Sequence, residues 1–153
     1  MIQCLDKEPL KWKALILFAI DSGCRRGEII GLKWSEIDFD TGRCHICRNA
    51  QYTVETGTYI TTPKNSKSRT ILLTDISLPV LREWKKEQQK LFFKLGIPNN
   101  GFCFTQDNGE MMNPQAPTAH LRTFGKKYNL PGIHPHAIRH TMATISIAMV
   151  RTW

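Results

Sequence analysis

Residues Pro9 to Ile20 put Trp12, Leu15, Ile16, Phe18 and Ala19 on nearly every side of a helix. A helix that is apolar all round has no face to offer water, so the rest of the chain must surround it. The chain has 153 residues, enough for one domain. A chain of this size buries roughly two thirds of its unfolded surface, so a real core is expected. Hydrophobic residues make up 41% and charged residues 22%, which excludes a disordered or low-complexity chain. The longest apolar run, Ala14 to Ile20, is far too short to span a bilayer. No charged start, apolar stretch and small-residue cleavage site mark a signal peptide. The 5 cysteines are odd in number and scattered, which points to free thiols in a reducing, cytoplasmic compartment.

Asp21-Ser22-Gly23 breaks the first helix, and a second begins near Arg25 with Glu28, Ile29, Ile30 and Leu32. From Arg43 the hydrophobic period changes to two. Arg43 to Arg48, Gly57 to Thr62 and Ser68 to Leu73 read as three strands of a small antiparallel meander. Thr74-Asp75 offers an N-cap for a helix through Leu78, Leu81, Trp84 and Leu91, ended by Gly96. Phe102-Cys103-Phe104 reads as a short extended piece, and a helix runs from after Pro114 to Tyr128. A last helix opens at Pro135 or His136. The expected fold is α+β, a mostly helical core with a small three-stranded antiparallel sheet. Trp34 and Trp84 read as core anchors rather than base-stacking platforms.

The net charge is +8, unevenly placed. Residues 1–40 hold 6 basic and 7 acidic residues, whereas residues 41–94 hold 10 basic and 4 acidic. A basic middle and C-terminal part points to a polyanionic partner, most simply nucleic acid. Three separated pieces carry candidate chemistry: Ser22-Gly23-Cys24-Arg25-Arg26-Gly27-Glu28, Pro63-Lys64-Asn65-Ser66-Lys67-Ser68-Arg69, and His136-Ala137-Ile138-Arg139-His140-Thr141. Alone, each reads as a helix start, a polar turn or a surface pair. Together, two guanidinium forks, a lysine and a histidine can converge on one anion. Arginine matches phosphate oxygens with a planar fork. Two arginines can neutralise the non-bridging oxygens of a phosphodiester as it becomes pentavalent. A lysine can protonate a departing sugar oxygen, and a histidine can move a proton near neutral pH. The sequence shows no acidic cluster of the two-metal type, and no cofactor is expected.

These pieces resemble the boxes of the tyrosine recombinases, the phage-type integrases. Ser-Gly-Cys-Arg-Arg-Gly-Glu followed by Leu-Lys-Trp-Ser-Glu-Ile-Asp is similar to that family's first box. Pro-Lys-Asn-Ser-Lys-Ser-Arg-Thr-Ile-Leu-Leu resembles its hairpin-lysine segment, and His-Ala-Ile-Arg-His-Thr-Met-Ala-Thr its second box. The resemblance runs from about Glu8 to Thr144, and the order and spacing of the boxes agree. It implies Arg25 and Arg139 as phosphate clamps, Lys64 as general acid on the leaving 5′ oxygen, and His136 as an assisting acid/base. It implies Glu28 as a partner of the active-site arginines and His140 as a support. Arg26 and Lys67 are the alternatives to Arg25 and Lys64. Arg26, Lys67 and Arg69 are expected to contact DNA. The implied partner is duplex DNA at a recombination site, in a bacterial or phage-encoded protein of a mobile element.

The family's nucleophile is a tyrosine a few tens of residues past the second box, after a Gly-His pair, and it forms a 3′-phosphotyrosyl link. The tyrosines of this sequence are Tyr52, Tyr59 and Tyr128, all before His136. Each reads as a core or surface residue. Residues 1–153 are therefore expected to form a single integrase catalytic domain, without the N-terminal DNA-binding domain and the C-terminal Gly-His/Tyr segment. This chain alone is expected to be a monomer unable to cleave DNA, whereas the complete proteins of the family act as tetramers. A DNA-binding remnant that regulates recombination is the alternative reading. Cys44-x-x-Cys47 is half a metal site, and His134 and His136 lack an acidic partner, so no metal is expected.

Overall fold

The computed structural model describes residues 2–62 and 67–133. A short helix α1 (Ile2–Leu5) leads into α2 (Leu10–Ser22), whose residues Ala14 to Phe18 are all buried. Five consecutive buried positions leave α2 no outer face over that stretch, as the sequence requires. Helix α4 (Leu78–Leu95) packs along α2, burying Val80, Leu81, Trp84 and Phe92. Helix α5 (Ala116–Lys127) buries Leu121 and Phe124 in the same core. It is tied to the start of α2 by Trp12 stacked on His120, with ring centroids 3.9 Å apart. Glu8 adds acceptors for Lys127 Nζ at 2.8 Å and the Tyr128 hydroxyl at 3.0 Å. Trp34 and Trp84 are both buried, as core anchors.

Two helix boundaries differ from the sequence pattern, and one residue explains both. α2 continues past Ile20 to Ser22, so Asp21 lies in its last turn. A carboxylate there opposes the helix dipole. Asp21 compensates by accepting from the Thr74 N–H and hydroxyl, both at 2.8 Å, and from the Ser77 hydroxyl at 2.5 Å. Thr74 is thereby used as a tether rather than as a cap, and α4 begins only at Leu78.

The strands follow the expected antiparallel class in a different arrangement. β1 (Arg43–Ile46) pairs with β4 (Arg69–Leu72), and β2 (Asn49–Thr53) with β3 (Gly57–Thr61). The three-stranded meander is thus replaced by one long hairpin broken into two ladders. β2 carries almost no apolar alternation, with only Ala50 buried, so periodicity did not mark it. The break after β1 comes where Cys47 and Arg48 both turn to Glu36 of the 3₁₀ turn Trp34–Glu36. Two residues (47 and 48) separate the outgoing strands, whereas seven (62 to 68) separate the returning ones. The surplus falls on the lysine-bearing segment of the return arm. The expected last helix from Pro135 or His136 lies outside the described residues.

One polar side chain organises the core beside Trp34. Gln88 is fully buried. It accepts from Trp34 Nε1 at 2.7 Å and donates to the carbonyls of Phe102 and Cys103 at 3.1 and 3.2 Å. Trp84 Nε1 reaches the same Cys103 carbonyl at 2.8 Å. Replacing Gln88 by Leu strands the Trp34 donor without a partner. Gln88→Leu is expected to lower the unfolding free energy by about 2–4 kcal/mol in urea titrations. A loss below about 0.5 kcal/mol would show that the network contributes little.

Candidate functional site

The site begins where α2 stops. Gly23 takes the left-handed conformation, φ 62°, that a helix C-terminus favours and a residue with a Cβ resists. Cys24 and Arg25 then run to α3 (Arg26–Ile30), with Arg25 extended at its N-cap, φ −72° and ψ 151°. Gly27 lets this helix lie directly on β2. A Cβ there would overlap Asn49 Oδ1 and sit 2.7 Å from the Ala50 carbonyl oxygen. The glycine in Arg-Arg-Gly-Glu is therefore a packing requirement.

Glu28 is the centre of the site's charge balance. Its side chain is 2% exposed. Arg69 donates to both carboxylate oxygens, Nη1 to Oε1 at 2.8 Å and Nη2 to Oε2 at 2.9 Å. The Arg25 backbone N–H donates to Oε2 at 2.9 Å, the return half of a capping box. The Arg25 guanidinium stands 3.8 Å from Oε1, with its side chain 47% exposed. Arg69 also reaches Cys24 Sγ at 3.6 Å. Burial pushes the Glu28 carboxyl upward. The Arg69 hydrogen bonds, the Arg25 N–H and the nearby positive charges outweigh that and hold it below its ordinary value. The hydrogen bonds from Arg69 to Glu28 raise the guanidinium above its own.

Arg26 points elsewhere. Its Nη1 donates to Gln115 Oε1 at 2.8 Å and Thr118 Oγ1 at 3.3 Å, joining α3 to the start of α5. Arg25, Arg26, Asn49, Gln51, Tyr59 and Gln115 share the wall of a surface pocket of about 430 Å³. Tyr59 donates its hydroxyl to Gln51 at 3.0 Å, and Tyr128 donates to Glu8. Tyr52 is exposed on β2. Lys67 is exposed on the return arm. Lys64, His136, Arg139 and His140 lie outside the described residues. The structure therefore brings Arg25, Glu28 and Arg69 together and places Arg26 beside them. Sequence reasoning missed Gln115 and Thr118, neutral residues 89 and 92 positions from Arg26 that no local motif announces. Of the Cys44 and Cys47 pair, Cys44 is fully buried, and burial pushes its thiol up to about 12. Cys47 faces Glu36 instead.

The model of the phage integrase family matches residues 1–150. The chain belongs to the phage integrase family. A tyrosine recombinase XerC-like protein of Caldanaerobacter subterraneus is 34% identical over 158 residues, covering 90% of this chain and 40% of that protein. The ICEBs1 integrase of Bacillus subtilis is 26% identical, covering 95% of this chain and 40% of that protein. This phage integrase family chain thus spans about 40% of the length of the curated relatives it matches. Among solved structures, the Tn1549 transposon integrase in complex with a circular intermediate DNA shares the fold. Its TM-score is 0.82 at 21% identity, over 97% of this chain and 50% of that one. The XerH recombinase bound to its difH substrate has a TM-score of 0.70 at 19% identity, over 97% of this chain and 40% of that one. The fold is that of the tyrosine recombinase catalytic domain.

The depressed Glu28 carboxyl makes a stability prediction with a definite sign. Its ionised form is favoured in the folded state, so its contribution is complete at neutral pH. That contribution is lost as the pH falls through the carboxylate range. In urea unfolding from about pH 7 to about pH 3, the advantage of the native protein over Glu28→Gln is expected to shrink steadily. An advantage that stays constant across the range would assign the effect to shape rather than charge.

Proposed function

We propose that this chain grips duplex DNA through its basic face and supplies the phosphate-clamping part of a recombinase active site. In the complete protein that site would cleave and rejoin strands through a 3′-phosphotyrosyl intermediate. Arg25 is one clamp on the scissile phosphate and Arg139 the other. Lys64 delivers a proton to the leaving 5′ oxygen, and His136 assists as acid/base. His140 supports the site. The observation that carries this reading is the state of Arg25. It sits at a fixed helix start, its backbone N–H is held by a buried carboxylate, and its side chain is half exposed in the wall of a surface pocket. That is a cation positioned with part of its hydrogen-bonding capacity open to an outside anion.

The 153 residues contain no tyrosine after Tyr128. We therefore infer that this chain by itself clamps the phosphodiester and does not attack it. The second reading is a binding module that occupies recombination sites without cutting them, which the same exposed clamp would serve. Lys67 and Arg26 add backbone contacts in either case. Contacts to phosphate position DNA and do not read its sequence.

Binding to a fluorescent mixed-sequence duplex is expected to weaken steeply with salt, because phosphate neutralisation releases counterions. Arg25→Ala is expected to lower the magnitude of the slope of log affinity against log salt by about 0.9, one phosphate contact. Salt-independent binding, or none, would overturn the reading. Incubated with a nicked duplex and run on a denaturing gel, this chain is expected to leave no covalent protein–DNA band. Such a band would refute the inference that it does not attack.

A further inference from the structure

Arg69 is a basic residue beside the proposed clamp, and the simplest assignment for it is another phosphate contact. The geometry points to a different role. We propose that Arg69 is a positioning residue that neutralises Glu28 and so keeps the Arg25 guanidinium available to DNA. The proposal rests on the reading of Arg25 as a phosphate clamp.

Both oxygens of Glu28 are taken by the Arg69 fork, at 2.8 and 2.9 Å. Glu28 is almost fully buried, so no water can take over that task. Among the described residues, Arg25 is the other guanidinium within reach, 3.8 Å from Oε1 and beyond hydrogen-bond distance. A buried carboxylate left without Arg69 would draw the nearest cation into its place, since an unpaired charge in a dry site is strongly disfavoured. That cation is Arg25. Its fork would turn inward onto Glu28 and away from the pocket. The charge count makes the same point. Among the described residues, one carboxylate faces two guanidiniums, so one positive charge is left over, and the hydrogen bonds assign the surplus to Arg25.

The position of Arg69 in the fold adds a second consequence. It is the first residue of β4, paired in register with Ile46, where the return arm rejoins its partner after the lysine-bearing segment. Its attachment to Glu28 of α3 therefore fixes the end of that segment against the clamp helix. It also reaches Cys24, the residue before Arg25. The same guanidinium thus holds the chain on both sides of the clamp.

The test uses the 153-residue chain and a mixed-sequence duplex, with affinity measured by anisotropy across a salt series. Three proteins are compared: native, Arg69→Met, and Arg69→Met combined with Glu28→Gln. The native chain must first bind with a clear salt slope, and if it does not, the clamp reading itself fails. Given that slope, Arg69→Met is expected to bind more weakly, with the slope smaller in magnitude by about 0.9 as Arg25 is drawn inward. The double variant removes the carboxylate that captures Arg25, while the carbonyl oxygen of the introduced amide can still accept from the Arg25 N–H. It is expected to recover the native slope and to bind within about twofold of native. If Arg69 were itself a phosphate contact, the double variant would keep the reduced slope, and the proposal would be overturned. Arg69→Met alone leaves a buried unpaired charge and can fail to fold. The double variant leaves none, so its comparison with native decides the matter even then. Circular dichroism establishes that each measured protein is folded.

Discussion

The bidentate pair between Arg69 and the buried Glu28 carboxylate joins positions 41 residues apart and closes the hairpin onto the first box. The pair is buried on the carboxylate side only, with the Arg69 side chain 39% exposed, so solvent screens part of it and breaking it costs less than the roughly 3–5 kcal/mol of a fully buried pair. The pair therefore acts as a constraint on arrangement. With it in place, α3 cannot drift from β4, and Arg25 must start its side chain from a backbone pinned at Glu28 Oε2. Gly27 makes the approach possible by leaving room for Asn49 and the Ala50 carbonyl. Charge and close packing thus fix helix α3 independently, one against β4 and the other against β2.

Behind the site, the core supplies a rigid base. α2 is enclosed over Ala14 to Phe18, and its end is sewn to the start of α4 by three bonds to Asp21. Gln88 joins α4 to the 3₁₀ turn through Trp34 and to the extended segment at Phe102 and Cys103. The 3₁₀ turn in turn holds Arg48 through Glu36, which sets the point where β1 gives way to β2. A chain of buried or half-buried polar contacts therefore runs from the middle of α4 to the strand beneath α3. Each link is directional, unlike apolar contact, so it specifies register as well as proximity.

Two helices were plainly legible, α2 because it is apolar nearly all round and α4 because its apolar positions recur at a helical period, and both end on glycine. Gly23 and Gly96 both adopt positive φ at helix C-termini. The sheet was only partly legible. β1, β3 and β4 show strand chemistry, whereas β2, Asn49-Ala50-Gln51-Tyr52-Thr53, is polar and is defined by what it packs against. A hairpin whose arms break at different places cannot be told from a meander by alternation alone. At the site, Arg25 and Glu28 were legible through the resemblance of Ser-Gly-Cys-Arg-Arg-Gly-Glu to the family's first box. The partner of Glu28 was not. Arg69 reads as one more cation in a basic turn until the ladder puts it across from Ile46, within reach of α3. Long-range pairing of charges leaves no period in a sequence.

Two adjacent arginines show how finely a helix start divides labour. Arg25 is the N-cap and Arg26 the first helical residue, so their side chains leave the backbone in different directions. Arg25 lies beside a carboxylate already saturated by another cation. Among the described residues, Arg26 meets neutral acceptors, Gln115 and Thr118. Neutral acceptors hold a guanidinium in place without cancelling its charge. Arg26 therefore joins α3 to α5 and still adds its full positive charge to the pocket wall it shares with Arg25. Exchanging the two roles would place the fixed cation against Glu28 and leave the outer one without an anchor. The doublet Arg-Arg is thus two residues with one sign of charge and two mechanical tasks, separated by a single step along the helix.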